Sequence, residues 1–255
     1  MPSELHLLQA RVVEALFLCA PCVFIALLLI TVPYGRHQDS RWGPTVGSRA
    51  GWLIMEMPAV VLLAWFFLPA ALASGGREAA WVLFVLWEIH YVFRTFVDPL
   101  RHPSGRPMAL AVVLLAFAYQ AANSFVNGLA LATAPHLDAD WLLRPEFLCG
   151  VALFLAGAWI NRRADAMLRN LRRPGETGYR IPEGWLYERV SCPNYLGEIL
   201  EWTGFALAAW TPAAAAFAVF SFANLVPRAL AHHRWYKDTF PEYPAARRAV
   251  IPYLI

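Results

Sequence analysis

The chain alternates long apolar segments with short polar connections. Runs rich in Leu, Ala, Val and Phe recur along it, and a helix of about 20 apolar residues crosses the roughly 30 Å hydrocarbon core of a bilayer. The pattern predicts an all-α integral membrane protein with seven spans, at about 10–32, 51–73, 79–97, 108–133, 145–161, 197–211 and 213–231. Asn161 shortens the fifth predicted span, and the turn at 210–212 shortens the sixth. No repeat or long linker divides the sequence, which predicts a single domain over residues 1–255.

Basic residues are distributed unevenly among the connections. One set of alternate connections is rich in arginine, and so is the C-terminal tail, whereas the opposite set holds Arg77 and Arg144 beside acidic residues. Because basic residues favour the cytosolic side of a membrane, this asymmetry predicts an N-terminus outside and a cytosolic C-terminus. The connection at about 162–196 is the most basic of the set and lies on the predicted cytosolic side.

The overall composition agrees with a membrane protein. At 59% hydrophobic and 15% charged residues, the chain is too apolar for an ordinary soluble domain. A single lysine among many arginines, with abundant alanine, suggests a GC-rich bacterial genome. We therefore expect a multi-pass protein of a bacterial inner membrane, or of the endoplasmic reticulum membrane in a eukaryote. The basic face would meet anionic membrane lipids; nucleic acid is not expected as a partner, and no obligate protein partner is evident.

Ionisable side chains lie inside two of the predicted spans. Such groups are costly in a bilayer unless they are paired or solvated, so they indicate a functional site. Glu56, just before Pro58, is either an interfacial carboxylate paired with an arginine or a buried carboxyl that takes part in chemistry. Tyr91, Arg94 and Asp98 share one face of the third predicted helix. In one interpretation Asp98 neutralises Arg94. Alternatively, this face presents the phenol of Tyr91 with the cation of Arg94 beside it, and such a phenol is a capable proton donor.

The basic connection has the composition of an anion-binding segment. Asn161, Asp165, Arg169 and Arg172 recur at helical spacing, which places them on one face of a helix leaving the fifth span. Arginine binds phosphate oxygens through paired, charge-assisted bonds. Interleaved Tyr and Asn side chains favour a specific ligand over the alternative of a basic patch at the membrane surface. No glycine-rich nucleotide loop and no zinc-ligand spacing occurs, so side chains would have to hold a nucleotide and no metal site is expected.

Several short motifs carry the strongest family signal in the sequence. They are Pro-Gly-Glu-Thr-Gly-Tyr-Arg-Ile-Pro-Glu-Gly at 174–184, Asn-Tyr-Leu-Gly-Glu-Ile-Leu-Glu-Trp at 194–202 and His-His-Arg-Trp-Tyr at 232–236. Upstream are Glu-Met-Pro at 56–58, His-Tyr-x-x-Arg-Thr-Phe at 90–96 and Gly-Arg-Pro at 105–107. In combination and spacing these motifs resemble the steroid 5α-reductase family, whereas the fourth predicted span carries little family signature.

The resemblance implies a seven-helix membrane reductase that uses NADPH to reduce the 4,5 double bond of 3-oxo-Δ4 steroids. By similarity, hydride reaches C5 while the catalytic residues Glu56 and Tyr91 hold the 3-oxo group. Met55 and Trp202 would complete the substrate site, and the connection at 162–196 would cover the cofactor. The residues implied in cofactor binding are Arg94, Arg106, Asn161, Asp165, Arg172, Tyr179, Arg180, Asn194, Glu198, Trp202, His232 and Tyr236.

One residue departs from the family pattern. Met55 stands where the family typically has Gln before the catalytic Glu, which removes a candidate hydrogen bond worth about 1–3 kcal/mol if a buried oxygen is left unpaired. The sequence therefore leaves open an enoyl or polyprenol reductase of the wider family, acting on a long-chain lipid. A membrane methyltransferase with a related C-terminal region and a non-catalytic lipid-binding protein are further alternatives.

Overall fold

The fold is a bundle of long helices. A computed structural model describes residues 4–32, 40–101, 106–171 and 178–255, with Arg172 in one of the gaps. The elements in chain order are α1 (Glu4–Leu29), β1 (Thr45–Val46), α2 (Ser48–Ala73), α3 (Glu78–Val92), a π turn (Phe93–Val97), α4 (Asp98–Arg101), β2 (Met108–Ala109), α5 (Leu110–Thr133), α6 (Pro145–Asn170), α7 (Pro193–Ala209) and α8 (Pro212–Thr239). Apart from the two short strands and three single 3-10 turns, the all-α prediction is confirmed for the described residues.

Proline and cap residues set where the later helices begin. α6, α7 and α8 each start with proline in the first turn, where the missing N–H removes a donor that has no partner anyway. Thr211 caps α8, since its hydroxyl accepts from the backbone nitrogen of Ala214 at 3.2 Å. Trp210 has the left-handed conformation that ends α7. The predicted turn at 210–212 is therefore a tight corner between two helices.

Five helical segments are long and apolar enough to cross a membrane. They are α1, α2, the continuous rod Glu78–Arg101 formed by α3, the π turn and α4, and also α5 and α8. The remaining two long helices are less apolar: α7 has only 17 residues with two glutamates among them, and α6 is charged in its second half. Seven spans and the orientation of the termini remain predictions.

α6 is longer than the fifth predicted span, as the helical spacing of Asn161, Asp165 and Arg169 indicated. It passes through Asn161 and ends at Asn170, so the first part of the connection at 162–196 is helical. The apolar pattern stops at Asn161 because the helix there meets a polar cavity, not because the helix ends. α8 likewise continues beyond its predicted end, to Thr239.

Glycines allow α6 and α7 to approach closely. A Cβ built on Gly157 would overlap backbone atoms of Gly197 and Glu201, and one built on Gly204 would overlap Phe154 on α6. Small residues at such seams let two helix backbones come into contact. The pair brings Asn161 against the start of α7, where its Nδ2 donates to the backbone oxygen of Asn194 at 3.0 Å.

α2 and α5 pack side by side in the same direction. β1 and β2 pair antiparallel, with Thr45 opposite Ala109, and so align the starts of the two helices. Further along, Gly128 lies against the backbone of Leu63. This register places Glu56 of α2 opposite Gln120 of α5.

The segment after α8 folds back over the connection between α6 and α7. Arg247 is buried, and its Nη1 donates to the backbone oxygen of Pro182 at 2.9 Å. Val190 and Arg248 form a parallel β-bridge. Ser191 Oγ lies 2.6 Å from the hydroxyl of Tyr243. The C-terminal segment therefore holds the connection against the helix bundle.

Candidate active site

Glu56 is a buried carboxylate with a donor on each oxygen. Its side chain is 6% exposed; Oε1 accepts from Arg94 Nε at 2.9 Å, and Oε2 accepts from Gln120 Nε2 at 2.6 Å. Arg94 Nη1 also lies 3.7 Å from Glu198 Oε2, and its guanidinium covers the ring of Trp52. A buried charge is tolerated only when it is paired and hydrogen-bonded. Glu56 is thus paired with an arginine, as the first interpretation expected, and buried, as the second expected.

Tyr91 is held beside this carboxylate. The hydroxyl lies 3.3 Å from Gln120 Nε2, and the ring stacks on Trp202 with a centroid separation of 5.5 Å. Tyr91 and Trp202 are almost completely buried. The structure therefore brings together both predicted catalytic residues, with Gln120 between them and Trp202 behind the phenol.

A π turn explains the pairing of Arg94. Residues Phe93–Val97 form i→i+5 bonds, which displace side chains from the spacing of an α-helix. Asp98 does not pair with Arg94; its Oδ1 lies 3.9 Å from Arg169 Nη1 on α6. Arg94 instead meets Glu56 and Glu198. The alternative in which Asp98 neutralises Arg94 is not the arrangement observed.

A polar cavity of about 300 Å³ lies next to this cluster. Its walls come from the α3–α4 rod and from α6, and they are His90, Phe93, Arg94, Asp98, Arg101, Asn161, Arg162, Asp165 and Arg169. Four of the wall residues are arginines and two are aspartates, which leaves the cavity positive. Guanidinium groups in such numbers suit an anionic ligand, above all one that carries phosphate.

An amide and carboxylate network forms one side of the cavity. Asn194 Nδ2 donates to Asp165 Oδ1 at 3.0 Å, and Asn161 donates to the backbone oxygen of Asn194. Burial raises the pKa of Asp165 to about 6. The helical spacing placed Asn161 and Asp165 on one face of a helix, and the structure adds Asn194 from the start of α7.

His90 and Glu201 form a second buried pair. His90 Nδ1 lies 2.7 Å from Glu201 Oε1, and both side chains are at most 7% exposed. The other imidazole nitrogen and the other carboxylate oxygen have no hydrogen-bond partner among the described residues. His90 reaches the cavity wall, so it has a polar atom to offer a ligand there.

Other predicted residues lie away from the cavity walls. Tyr179 packs edge-to-face against Trp235 on α8, and Tyr236 stacks on Tyr243. His232 Nε2 lies 3.2 Å from the hydroxyl of Tyr195. Met55 is buried with Met108 and Val113. The remaining predicted residues are Arg106 and Arg180, which are exposed, and Arg172, which is outside the described ranges.

Sequence reasoning did not select Gln120, His90 or Glu201. For Gln120 a signal exists: Gln120, Asn123 and Asn127 recur at three- and four-residue spacing within the fourth apolar span, which marks one polar helix face. His90 and Glu201 lie in the motifs given above, but their pairing joins residues 111 positions apart. Only the packing of α3 against α7 reveals it.

Comparison with known proteins identifies the family of this chain. A family model described as 3-oxo-5-alpha-steroid 4-dehydrogenase matches residues 106–255. 3-Oxo-5-alpha-steroid 4-dehydrogenase 1 of Rattus norvegicus is 40% identical over 231 residues, covering 91% of this chain and 89% of the relative. The Mus musculus protein of the same name is 40% identical over 253 residues, covering 99% of both chains.

The similarity extends to plants. Steroid 5-alpha-reductase DET2 of Gossypium hirsutum is 36% identical over 248 residues, covering 94% of each chain. The matches therefore span the helices that form the cluster around Glu56 as well as the C-terminal motifs. The chain belongs to the 3-oxo-5-alpha-steroid 4-dehydrogenase family, whose members are oxidoreductases that act on CH–CH groups.

Proposed function

We propose that this protein reduces the 4,5 double bond of 3-oxo-Δ4 steroids with NADPH. Family membership supports the reaction class. The observation that carries the proposal is the Glu56–Gln120–Tyr91 cluster, which lies beside an arginine-lined cavity. The cluster suits a substrate carbonyl, and the cavity suits an anionic cofactor.

The residues of the cavity fit such a cofactor. Arg101, Arg162 and Arg169 offer guanidinium groups to phosphate oxygens. Asp165 and Asn194 offer an acceptor and a donor for hydroxyl or amide groups. The unpartnered Nε2 of His90 is a further polar contact at the wall. Arg94, Asn161, Glu198 and Trp202 would complete the inner site, with Arg106, Arg172, Tyr179, Arg180, His232 and Tyr236 as the outer contacts that the resemblance implies. When bound, NADPH supplies the hydride.

The chain itself contributes by polarising the enone. Tyr91 donates a hydrogen bond to the 3-oxo oxygen, which stabilises the negative charge that develops there as hydride reaches C5. Glu56 fixes the geometry of the Glu56–Gln120–Tyr91 cluster. Arg94 offsets the charge of Glu56 in surroundings from which water is largely excluded. Trp202 covers the inner face of the phenol. Addition of one proton at C4 completes the transfer of two electrons and gives the saturated 3-oxo product.

We also propose the membrane arrangement that the sequence predicted. Seven spans would put the arginine-lined cavity on the cytosolic side, where a soluble dinucleotide is available. The five apolar helical segments and the outward-facing leucines on them support an integral membrane protein. The single domain over 1–255 is consistent with the continuous packing of α1 against α8 and of α6 against α7. A bacterial inner membrane is the location we propose.

The test is turnover by the full-length protein purified in detergent. NADPH oxidation is measured with testosterone or progesterone, and products are compared by mass and by chromatography with 5α and 5β standards. We expect a product two hydrogens heavier with 5α configuration. Tyr91→Phe should lose turnover yet keep NADPH binding. NADPH binding without steroid turnover would overturn the substrate class and direct assays to enoyl thioesters and polyprenols.

A further inference from the structure

Gln120 joins the two residues proposed to hold the substrate carbonyl. It lies on α5 and is 8% exposed. Its Nε2 is 2.6 Å from Glu56 Oε2 on α2 and 3.3 Å from the hydroxyl of Tyr91 on α3. A single side-chain atom therefore connects three helices at the site.

The contacts of this nitrogen determine where the phenol hydrogen goes. A carboxamide nitrogen carries two hydrogens, and these two contacts use both of them. Since the Tyr91 oxygen accepts one of them, the hydrogen of its hydroxyl remains available to a third group. Arg94 already occupies the other oxygen of Glu56. A carbonyl oxygen brought against Tyr91 is an acceptor of the required kind.

The oxygen of the same carboxamide has no hydrogen-bond partner in the part of the chain that the structure describes. Gln120 Oε1 is buried and forms no hydrogen bond with any described residue. An unpaired buried polar atom lowers stability, and the fold bears this cost at Gln120 Oε1. The carboxamide is present although its oxygen lacks a hydrogen bond, which is expected if its nitrogen has a functional role.

We propose that Gln120 is a positioning residue for carbonyl recognition. It holds the Glu56 carboxylate in place and directs the Tyr91 hydroxyl hydrogen to the carbonyl oxygen of an α,β-unsaturated ketone. This inference rests on the proposed reductase function. It assigns to α5 a role in substrate recognition that the sequence motifs did not indicate.

The neighbouring position on α2 gives no substitute. Met55 precedes Glu56, and its side chain is buried with Met108 and Val113. A thioether donates no hydrogen bond. Among the described residues, Gln120 is the one neutral donor to Glu56, and Arg94 is the charged one.

Two substitutions distinguish a positioning role of Gln120 from a packing role. Gln120→Met keeps the length of the side chain and removes the donor. Gln120→Glu keeps the shape but sets a second carboxylate against Glu56, and two carboxylates that share a site do not both ionise readily. The titratable groups facing this position are Glu56 from α2, Tyr91 and Arg94 from α3 and the π turn, and Tyr119 on α5 itself, with Glu198 of α7 beyond Arg94.

The experiment measures kcat, KM and NADPH Kd for the full-length protein and the variants between about pH 5.5 and 8.5, where side chains of this kind titrate when perturbed. Gln120→Met should lower kcat/KM for a 3-oxo-Δ4 steroid about 10- to 100-fold, through kcat, with NADPH Kd unchanged. Gln120→Glu should be more impaired at neutral pH and should recover as the pH falls, because the protonated acid regains one donor. The matched control is Asn127→Leu, since Asn127 is a buried polar residue on the same helix whose side chain bonds to Asn123.

The outcomes are distinguishable from failure of the proposed function. The same variants are assayed with 2-cyclohexen-1-one, which presents an enone carbonyl without steroid rings. If the unmodified protein reduces the small enone but not the steroid, the proposed substrate class is wrong. The Gln120 variants can still be compared on the small enone. Gln120 has only a packing role if Gln120→Met retains full kcat on every enone that the protein reduces. The same conclusion follows if Gln120→Met loses no more activity than Asn127→Leu and the activity of Gln120→Glu does not recover at low pH. NADPH binding without reduction of either enone overturns both proposals.

Discussion

Arg94 Nε lies 2.9 Å from Glu56 Oε1, and this bond ties α2 to the π turn that follows α3. Only 24% of the arginine side chain and 6% of the glutamate side chain are exposed. Removing one member of a buried pair leaves the other charge uncompensated. We expect Arg94→Met to destabilise the protein by about 3 kcal/mol, the low end of the usual range because Arg94 is partly exposed.

A double variant makes this prediction specific. In Glu56→Gln/Arg94→Met no buried charge of the pair remains, so its thermal midpoint in detergent should exceed that of Arg94→Met alone. Equal midpoints would show that Glu56 carries no uncompensated charge once Arg94 is removed.

The raised pKa of Asp165 predicts a pH-dependent stability. Its value of about 6, against 3.8 for the unperturbed group, means that the unfolded chain ionises first as pH rises. The free energy of unfolding is therefore highest below the pKa of Asp165 in the unfolded chain. It falls as the pH increases to about 6, by up to about 3 kcal/mol. Asp165→Asn keeps an acceptor for Asn194 and should abolish this fall.

Thermal midpoints of the cofactor-free protein from about pH 3 to 8 measure the effect, since this interval spans both pKa values. Asp140→Asn, an exposed acid elsewhere in the chain, is the control and should follow the unmodified protein. A slope that persists in Asp165→Asn would assign the titration to another group.

Two adjacent arginines on α6 should differ in their effect on NADPH. Arg162 lines the cavity and lies over the ring of Phe93, whereas Arg163 lies against Trp159 and Trp185. Charge-assisted bonds contribute about 1.5–3 kcal/mol. Arg162→Gln should therefore weaken NADPH binding at least about 10-fold, and Arg163→Gln should leave it unchanged. Equilibrium titration of NADPH fluorescence measures both affinities, and equal losses would place the phosphates elsewhere.

The glycine seam between α6 and α7 predicts a severe steric effect. A methyl group at Gly157 meets backbone atoms of Gly197 and Glu201, which cannot rotate away. Gly157→Ala should destabilise the bundle by at least about 1–3 kcal/mol, the usual cost of overpacking. Gly75→Ala, where nothing lies within 4 Å, is the matched control. Size-exclusion profiles and thermal midpoints in detergent would reveal a folded, stable Gly157→Ala protein if the seam can widen.

Hydropathy accounts for most of the fold because long apolar runs have few alternatives to a helix in a membrane. Hydropathy located the end of the apolar stretch of α6 but not the end of the helix, because a helix that lines a polar cavity changes composition without changing conformation. The helical spacing of the polar residues supplied the rest, and Asn161 is the first residue of α6 that faces the cavity.

The site was predictable where residues lie close in sequence and less so where distant helices meet. The spacing of Asn161 and Asp165 is local, and it placed them together correctly. The partner of Arg94 depends on the π turn and on the packing of α2, neither of which a periodic pattern contains. Gln120 needed the register of α2 against α5, which the short β1–β2 pairing sets.

The bond from Arg247 to the backbone of Pro182 also bears on how the protein is made. The two residues are 65 positions apart, and the bridge between Val190 and Arg248 spans a similar interval. During synthesis the connection that precedes α7 must wait until α8 and the following segment have emerged from the ribosome. The closing of this connection therefore follows the synthesis of α8, so a nascent chain can have its earlier helices inserted well before it can retain the proposed dinucleotide.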